Sequence, residues 1–159
     1  MELQVGVNSY MNLDEVKQFI DDYILTDAIT EYVESLSDNY ISKIINSATK
    51  LIEKLDFKGV RVDSEQKLKF PRYIYNDFKK TLISCPDDVK AGIVLQAIYD
   101  SYYTNKYQDK LDMRKIGISS KSLGSASISF NSNITDEKLK NGIYRDVFET
   151  YLRKYTIYI

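Results

Sequence analysis

Apolar and polar positions alternate weakly at the start of the chain. Leu3, Val5 and Val7 interleave with Glu2, Gln4 and Gly6, which predicts a short strand or an extended arm over residues 1–10. Asn12-Leu-Asp-Glu15 has the form of a capping box, with acidic residues in the first turn, and opens a helix carrying Val16, Phe19, Ile20 and Tyr23 on one face. Thr26-Asp-Ala-Ile29 begins a short second helix ending near Ser35. The clearest periodicity follows Ser37. Ile41, Ile44, Ile45, Ala48, Ile52 and Leu55 form one stripe, so a helix is expected from Asp38 to Asp56, with Lys43, Lys50, Glu53 and Lys54 on its solvated side. Lys58-Gly59 closes it, because glycine takes the left-handed conformation without penalty.

Beyond Gly59 the pattern thins to a polar connection with a Val60/Val62 alternation, read as an edge strand. Both prolines lie in the next stretch. Pro71 holds Phe70 extended, and Pro86 suits a first helical turn because proline has no N–H to waste there. Tyr73–Ser84 between them reads as irregular or as one helical turn. From Pro86 to about Asn105, Ala91, Val94, Leu95, Ile98 and Tyr102 make a main apolar face that Val89, Ile93 and Ala97 widen. A helix apolar over so much of its circumference belongs at the centre of a domain. Ile116-Gly-Ile118 and the alternating Ala126, Ile128 and Phe130 predict a β-hairpin over residues 115–130, turning at Lys121-Ser-Leu-Gly124. Thr135-Asp-Glu-Lys138 starts a last helix, and Thr156–Ile159 forms a β-branched and aromatic tail. The pattern predicts one mainly α domain over residues 1–159: a compact bundle of about four to five helices, with a small β-hairpin inserted before the C-terminal helix.

Composition narrows the chemistry. With 22 basic and 23 acidic residues the net charge is −1, so no electrostatic footprint for duplex nucleic acid is present. No apolar run approaches the roughly 20 residues that span a bilayer, and the start lacks a signal-peptide pattern, so the expectation is synthesis in the cytoplasm without a membrane partner. Histidine is absent, which removes the usual general base and zinc ligand. A single cysteine, Cys85, has no partner for a disulfide or a thiolate cluster within the chain. The 14 tyrosines reflect either AT-rich coding or an interface-rich surface.

No catalytic motif emerges. Asp21-Asp22 and Asp87-Asp88 sit at helix ends, where carboxylates suit the dipole or solvent as readily as a metal. Pro86-Asp87 has its Glu-x-Lys, Glu65-Gln-Lys67, upstream, the wrong order for a nuclease core. The glycines make neither phosphate-cradling pattern. No catalytic residue, cofactor or metal ligand is therefore assigned, and the expectation is a protein that is not an enzyme. Tyr73 and Tyr75 near Arg72, Lys79 and Lys80, and Tyr99, Tyr102, Tyr103 and Tyr107 near Lys106, stand either for base stacking on single strands or for packing and subunit contact.

The order of these pieces is more specific than any one of them. Leu36-Ser37 caps a helix containing Ala48-Thr49 and ending in Asp56-Phe-Lys-Gly59. Leu68-Lys-Phe-Pro-Arg72, Pro86-Asp-Asp-Val89, Lys121-Ser-Leu-Gly-Ser-Ala-Ser-Ile-Ser-Phe130 and Tyr151-Leu152 follow. From about Asn8 to Tyr155 the chain resembles the head–tail connector (head-completion, or adaptor) proteins of tailed bacteriophages and prophages, some of whose relatives are labelled DnaT-like single-stranded-DNA-binding proteins. It departs from that pattern in having no Trp, where the family often carries one at the start of the second helix and in place of Phe70, and in a Tyr-rich rather than Leu-rich final helix.

The resemblance implies a structural subunit of the virion neck, made in the host cytoplasm and monomeric until the portal templates it. It assembles there as a ring, commonly of about twelve copies. The ring extends the DNA channel, passes DNA without sequence-specific binding, and offers a docking surface to the next neck (stopper) or tail-completion protein. On this reading Tyr151, Tyr155, Thr156, Ile157, Tyr158 and Ile159 dock on the portal, the tail adding a strand to a partner's sheet edge. Arg72, Lys121, Ser122, Leu123 and Gly124 face a neighbouring subunit or the lumen, with Arg72 free to pair with a carboxylate. The rival from another class is a single-stranded-DNA-binding replication accessory, which would depend on Tyr102 or Tyr103.

Overall fold

The structure is a computed structural model that describes residues 2–23, 27–76, 79–115, 120–123, 126–129, 152, 154, 155 and 157. Its elements are α1 (Leu13–Tyr23), α2 (Asp27–Glu34), α3 (Asp38–Ile52), β1 (Val60–Arg61), β2 (Arg72–Asn76), β3 (Lys79–Ile83), α4 (Asp87–Lys115), β4 (Ser120–Leu123) and β5 (Ala126–Ser129). The three strands β1–β2–β3 form one antiparallel sheet, and β4–β5 form a separate hairpin. The architecture is therefore mixed, with more sheet than a helical bundle carrying one hairpin.

The helices begin where local chemistry starts them. Asn12 and Glu15 exchange bonds: the Asn12 Oδ1 accepts from the Glu15 N–H at 2.9 Å, and Glu15 Oε2 accepts from the Asn12 N–H at 3.0 Å. The backbone bond holds the Glu15 carboxyl below its ordinary range, with Lys90 adding to it. The Ser37 hydroxyl caps α3 by accepting from the Tyr40 N–H. Pro86 precedes α4 and its carbonyl accepts from Val89 and Lys90, at 3.0 Å each.

The centre of the protein is α4, which packs on α1, α2 and α3. Val89, Ala91, Ile93, Val94, Leu95, Ala97 and Ile98 are all buried, as an almost fully apolar half-helix requires. All of these but Ala91 meet Ile41, Ile45, Ala48 and Ile52 of α3, Val16 and Ile20 of α1, and Ile29 of α2 in one core. Each fully buried Ile or Val there stabilises the fold by about 1.5–3 kcal/mol.

Several differences from the sequence reading have physical causes. Residues 4–9 do not extend; they fold back in a tight turn at Gly6 (φ 79°), tied by Gly6 N–H to the Ser9 carbonyl. α3 stops at Ile52 rather than Asp56: beyond it the backbone tightens to i→i+3 bonds, Lys54 N–H to the Leu51 carbonyl at 3.1 Å and Leu55 N–H to Ile52 at 3.0 Å, and Glu53, expected on the solvated side, accepts from the Lys69 N–H instead. Tyr73–Ser84 is mostly β-hairpin, with β2 and β3 paired from Arg72↔Ile83 to Asn76↔Lys79. α4 runs on to Lys115, ten residues past its expected end near Asn105, on straight-chain helix formers such as Gln108, Lys110, Leu111, Met113 and Arg114. A hairpin is present within 115–130 as β4–β5, pairing Ser120↔Ser129 through Leu123↔Ala126, but Lys121–Leu123, expected to form its turn, are themselves the first strand, because their cross-strand pairing with Ala126–Ile128 continues to Leu123. Ile116–Ile118, Gly124 and the helix expected from Thr135 lie outside the described residues. Among the described residues no helix is long and apolar enough to cross a membrane.

Candidate functional site

The most distinctive surface is built on the β1–β2–β3 sheet, and two devices hold that sheet in place. The first is Gly59. At φ 83° its backbone passes so close to β2 that a Cβ would stand 2.1 Å from the Tyr73 carbonyl oxygen. The second is Arg72, only 7% exposed. Its Nε donates to the Lys58 carbonyl at 3.0 Å, Nη1 to Lys69 at 3.1 Å, and Nη2 to Phe57 at 3.0 Å and Gly59 at 2.6 Å. Four of the five guanidinium N–H groups are thus engaged by backbone carbonyls of this chain. Burial, with Arg61 nearby, lowers its pKa from the ordinary value. Arg72 is an internal staple between the loop after α3 and the start of β2. The expectation that it is free to reach a carboxylate is corrected on that ground.

A buried network anchors the segment before Arg72. Tyr10 donates its hydroxyl to Glu53 Oε1 and accepts from the N–H groups of Lys69 (3.0 Å) and Phe70 (3.2 Å). Glu53 Oε2 also accepts from the Lys69 N–H at 2.9 Å. Burial pushes the Glu53 carboxyl and the Tyr10 hydroxyl up from their ordinary ranges, and the hydrogen bonds to Glu53 oppose its rise. Phe70 is buried edge-on against Tyr10 and Phe57, with centroids 5.9 and 5.0 Å apart.

The register of the sheet separates two faces. Val60, Tyr73 and Leu82 lie opposite one another across the three strands, and the Tyr75↔Lys80 pair shares their face. Arg72 and Ile83 lie on the other face, toward the core. The outer face is therefore apolar and exposed: Val60 is 51%, Tyr75 56% and Leu82 56% accessible. Its cation is Lys80, whose Nζ sits 3.8 Å from the Tyr73 ring centroid. Lone exposed apolar residues need no explanation, but several on one small sheet face do.

The other sequence-selected residues are placed differently. Lys121, Ser122 and Leu123 are on β4, paired with Ile128, Ser127 and Ala126. Tyr155 lies against its own chain: its hydroxyl donates to Asp88 Oδ2 at 3.2 Å and its carbonyl accepts from the Lys58 N–H at 2.8 Å. Burial, then Asp88, raises its pKa. Ile157 donates its N–H to the Asp56 carbonyl at 2.7 Å and leaves its side chain exposed. The tail thus flanks Phe57 with two backbone bonds, so its strand-forming character is used within the chain at these positions. Tyr151, Thr156, Tyr158, Ile159 and Gly124 lie outside the described residues.

The tyrosine-rich part of α4 is packed rather than splayed. Tyr102 meets Tyr32 and Tyr103 edge-on at 5.5 and 5.3 Å, and Lys106 Nζ binds its hydroxyl at 3.1 Å. Tyr32 and Tyr40 share the Ser101 hydroxyl, at 2.5 and 3.1 Å. Cys85 is half-buried, and burial pushes its thiol far above the ordinary range. Among the described residues no group of three or more His, Cys, Asp or Glu is placed to hold a metal ion.

These features define a protein of mixed helices and antiparallel sheet, the three-stranded sheet carrying an exposed apolar face with a cationic member. The chain belongs to the family described as "Putative DnaT-like ssDNA binding protein", which matches residues 2–158. This is the DnaT-like part of the resemblance in the sequence. No curated protein and no solved structure matches the chain.

Proposed function

We propose that this chain is a structural assembly subunit, a head–tail connector of a tailed phage or prophage that forms a ring beneath the portal. The ring continues the DNA channel and receives the next neck or tail protein; the role involves no turnover and no cofactor. The observation that carries the reading is the outer face of β1–β2–β3. Val60, Tyr75 and Leu82 are each more than half exposed beside a half-exposed Tyr73. Such a patch fits the core of a protein–protein contact, with Lys80 at its rim. The sequence resemblance supports the same reading and supplies the portal as the template. Tyr155 and Ile157 are the described residues of the portal-docking segment, and the exposed Ile157 side chain is the one they leave for a partner. The test is electron microscopy of the chain mixed with its portal: rings on the portal are expected, and a portal left bare refutes the proposal.

The family description favours a second reading, single-stranded-DNA binding, and the sheet face has one feature that suits it: exposed Tyr75 opposite Lys80. Three observations weigh against it. The near side of Tyr73 is covered by Lys80, Tyr102 and Tyr103 pack against each other, and the chain as a whole carries a net charge of −1, its basic excess from Lys58 to Lys80 partly spent on the buried Arg72. Fluorescence anisotropy with a labelled oligonucleotide separates the readings. DNA binding that falls steeply with salt and is lost in Tyr75→Ala would favour the second.

A further inference from the structure

Charge is distributed unevenly along this nearly neutral chain. From Asp14 to Asp38 there are eight acidic residues and one basic residue, Lys17, which is paired with Asp38 at 2.8 Å. The stretch from Lys58 to Lys80 has the opposite balance, seven basic residues against three acidic. The acidic stretch contributes to a groove of about 310 Å³ between α1 and the start of α4. Phe19 and Tyr23 line it, stacked with centroids 5.7 Å apart, and Glu15, Asp22 and Asp87 rim it. Lys90 offsets Glu15 at 3.3 Å. The groove is aromatic with an anionic rim. The outer sheet face is apolar with a cationic member.

We propose that the two surfaces are partners: the β2–β3 face of one copy, led by Leu82, Tyr75 and Lys80, docks in the α1–α4 groove of a second copy. This rests on the assembly reading above and names the contact through which it is built. Two different patches of one chain make a head-to-tail contact, which closes into a ring or runs on as a filament, whereas a single self-complementary patch would stop at a dimer. Leu82 and Tyr75 supply the desolvated centre against Phe19 and Tyr23, and Lys80 meets Asp22 at the rim, where opposite charges set the register. A second copy suits the groove better than nucleic acid does, because its carboxylate rim repels phosphate.

The test uses the full chain over a concentration series, cross-linked with a carbodiimide that joins amines to carboxylates and read by mass spectrometry. With its portal present as template, the wild type is expected to give a ladder beyond dimer, with Lys80 joined to Asp22 or a neighbouring rim carboxylate, whether or not the chain self-associates alone; no such cross-link on the portal overturns the interface. Lys80→Glu and Asp22→Lys, both at exposed positions, should each weaken self-association about 10-fold, and the double variant should restore it. Leu82→Ser should weaken it without a charge change, and urea unfolding of each variant checks that the fold is kept. Cross-links that map elsewhere, a ladder that stops at dimer, single variants that change nothing, or a double variant that fails to rescue would overturn this interface. Rings on the portal despite any of these results would leave the assembly reading standing. A chain that stays monomeric both alone and with the portal would remove both.

Discussion

Replacing Arg72 separates a structural staple from an assembly residue. Arg72→Ala deletes four charge-assisted bonds to the carbonyls of Phe57, Lys58, Gly59 and Lys69. Lys58 and Gly59 are exposed, so water takes over their carbonyls at small cost. Phe57 is buried and Lys69 half-buried, and bonds to a charged group at such sites are worth about 1.5–3 kcal/mol each. Relief of the buried charge offsets part of that loss. The expected destabilisation is about 3–4 kcal/mol, or a melting-temperature drop of about 10 °C for a chain of this length. Since domains are stable by about 5–15 kcal/mol, the variant still folds. Arg72→Lys supplies one donor in place of the planar fork and should recover less than half of the loss. Urea unfolding at constant m-value measures both. A change below about 1 kcal/mol in Arg72→Ala would refute the staple, and more so if such a variant failed only in assembly.

Gly59→Ala should cost about 2–4 kcal/mol, since the methyl group needs both an unfavourable positive φ and a shift of β2; an unchanged urea midpoint would contradict the close approach at Tyr73. Glu53 has a carboxyl pKa raised by burial, so its contribution is most favourable below its unfolded value and declines as pH rises through the folded one. The stability of the wild type minus that of Glu53→Gln should therefore fall with pH above about 4.5, and a rise would reverse the sign of the argument. The Cys85 thiol should react with a disulfide reagent at pH 8 at least ~100-fold more slowly in the native than in the unfolded protein; equal rates would contradict its burial.

How legible the fold was depends on which force formed each element. The caps of α1 and α3, the α3 stripe and the proline-led start of α4 follow from local chemistry, and all were readable. The β2–β3 hairpin was not, because Lys79–Leu82 is exposed throughout and shows no alternation of burial. Its signal was the aromatic and β-branched run Tyr73-Ile-Tyr75, with Thr81-Leu-Ile83 set opposite. The roles of Glu53 and Arg72 depend on partners 43 residues and 13–15 residues away, which periodicity cannot reveal. The candidate site suffered most from this. Arg72 carried a recognisable motif but turned inward, while its neighbours on β2 and β3 face outward. Pairing register, rather than residue type, decides that division.

Electron microscopy of the full chain mixed with its portal tests the central claim most directly, using wild type and Leu82→Ser side by side. The account predicts closed rings seated on the portal for the wild type and their loss for the variant. A bare portal, together with salt-sensitive binding of single-stranded DNA by the same preparation, would contradict it.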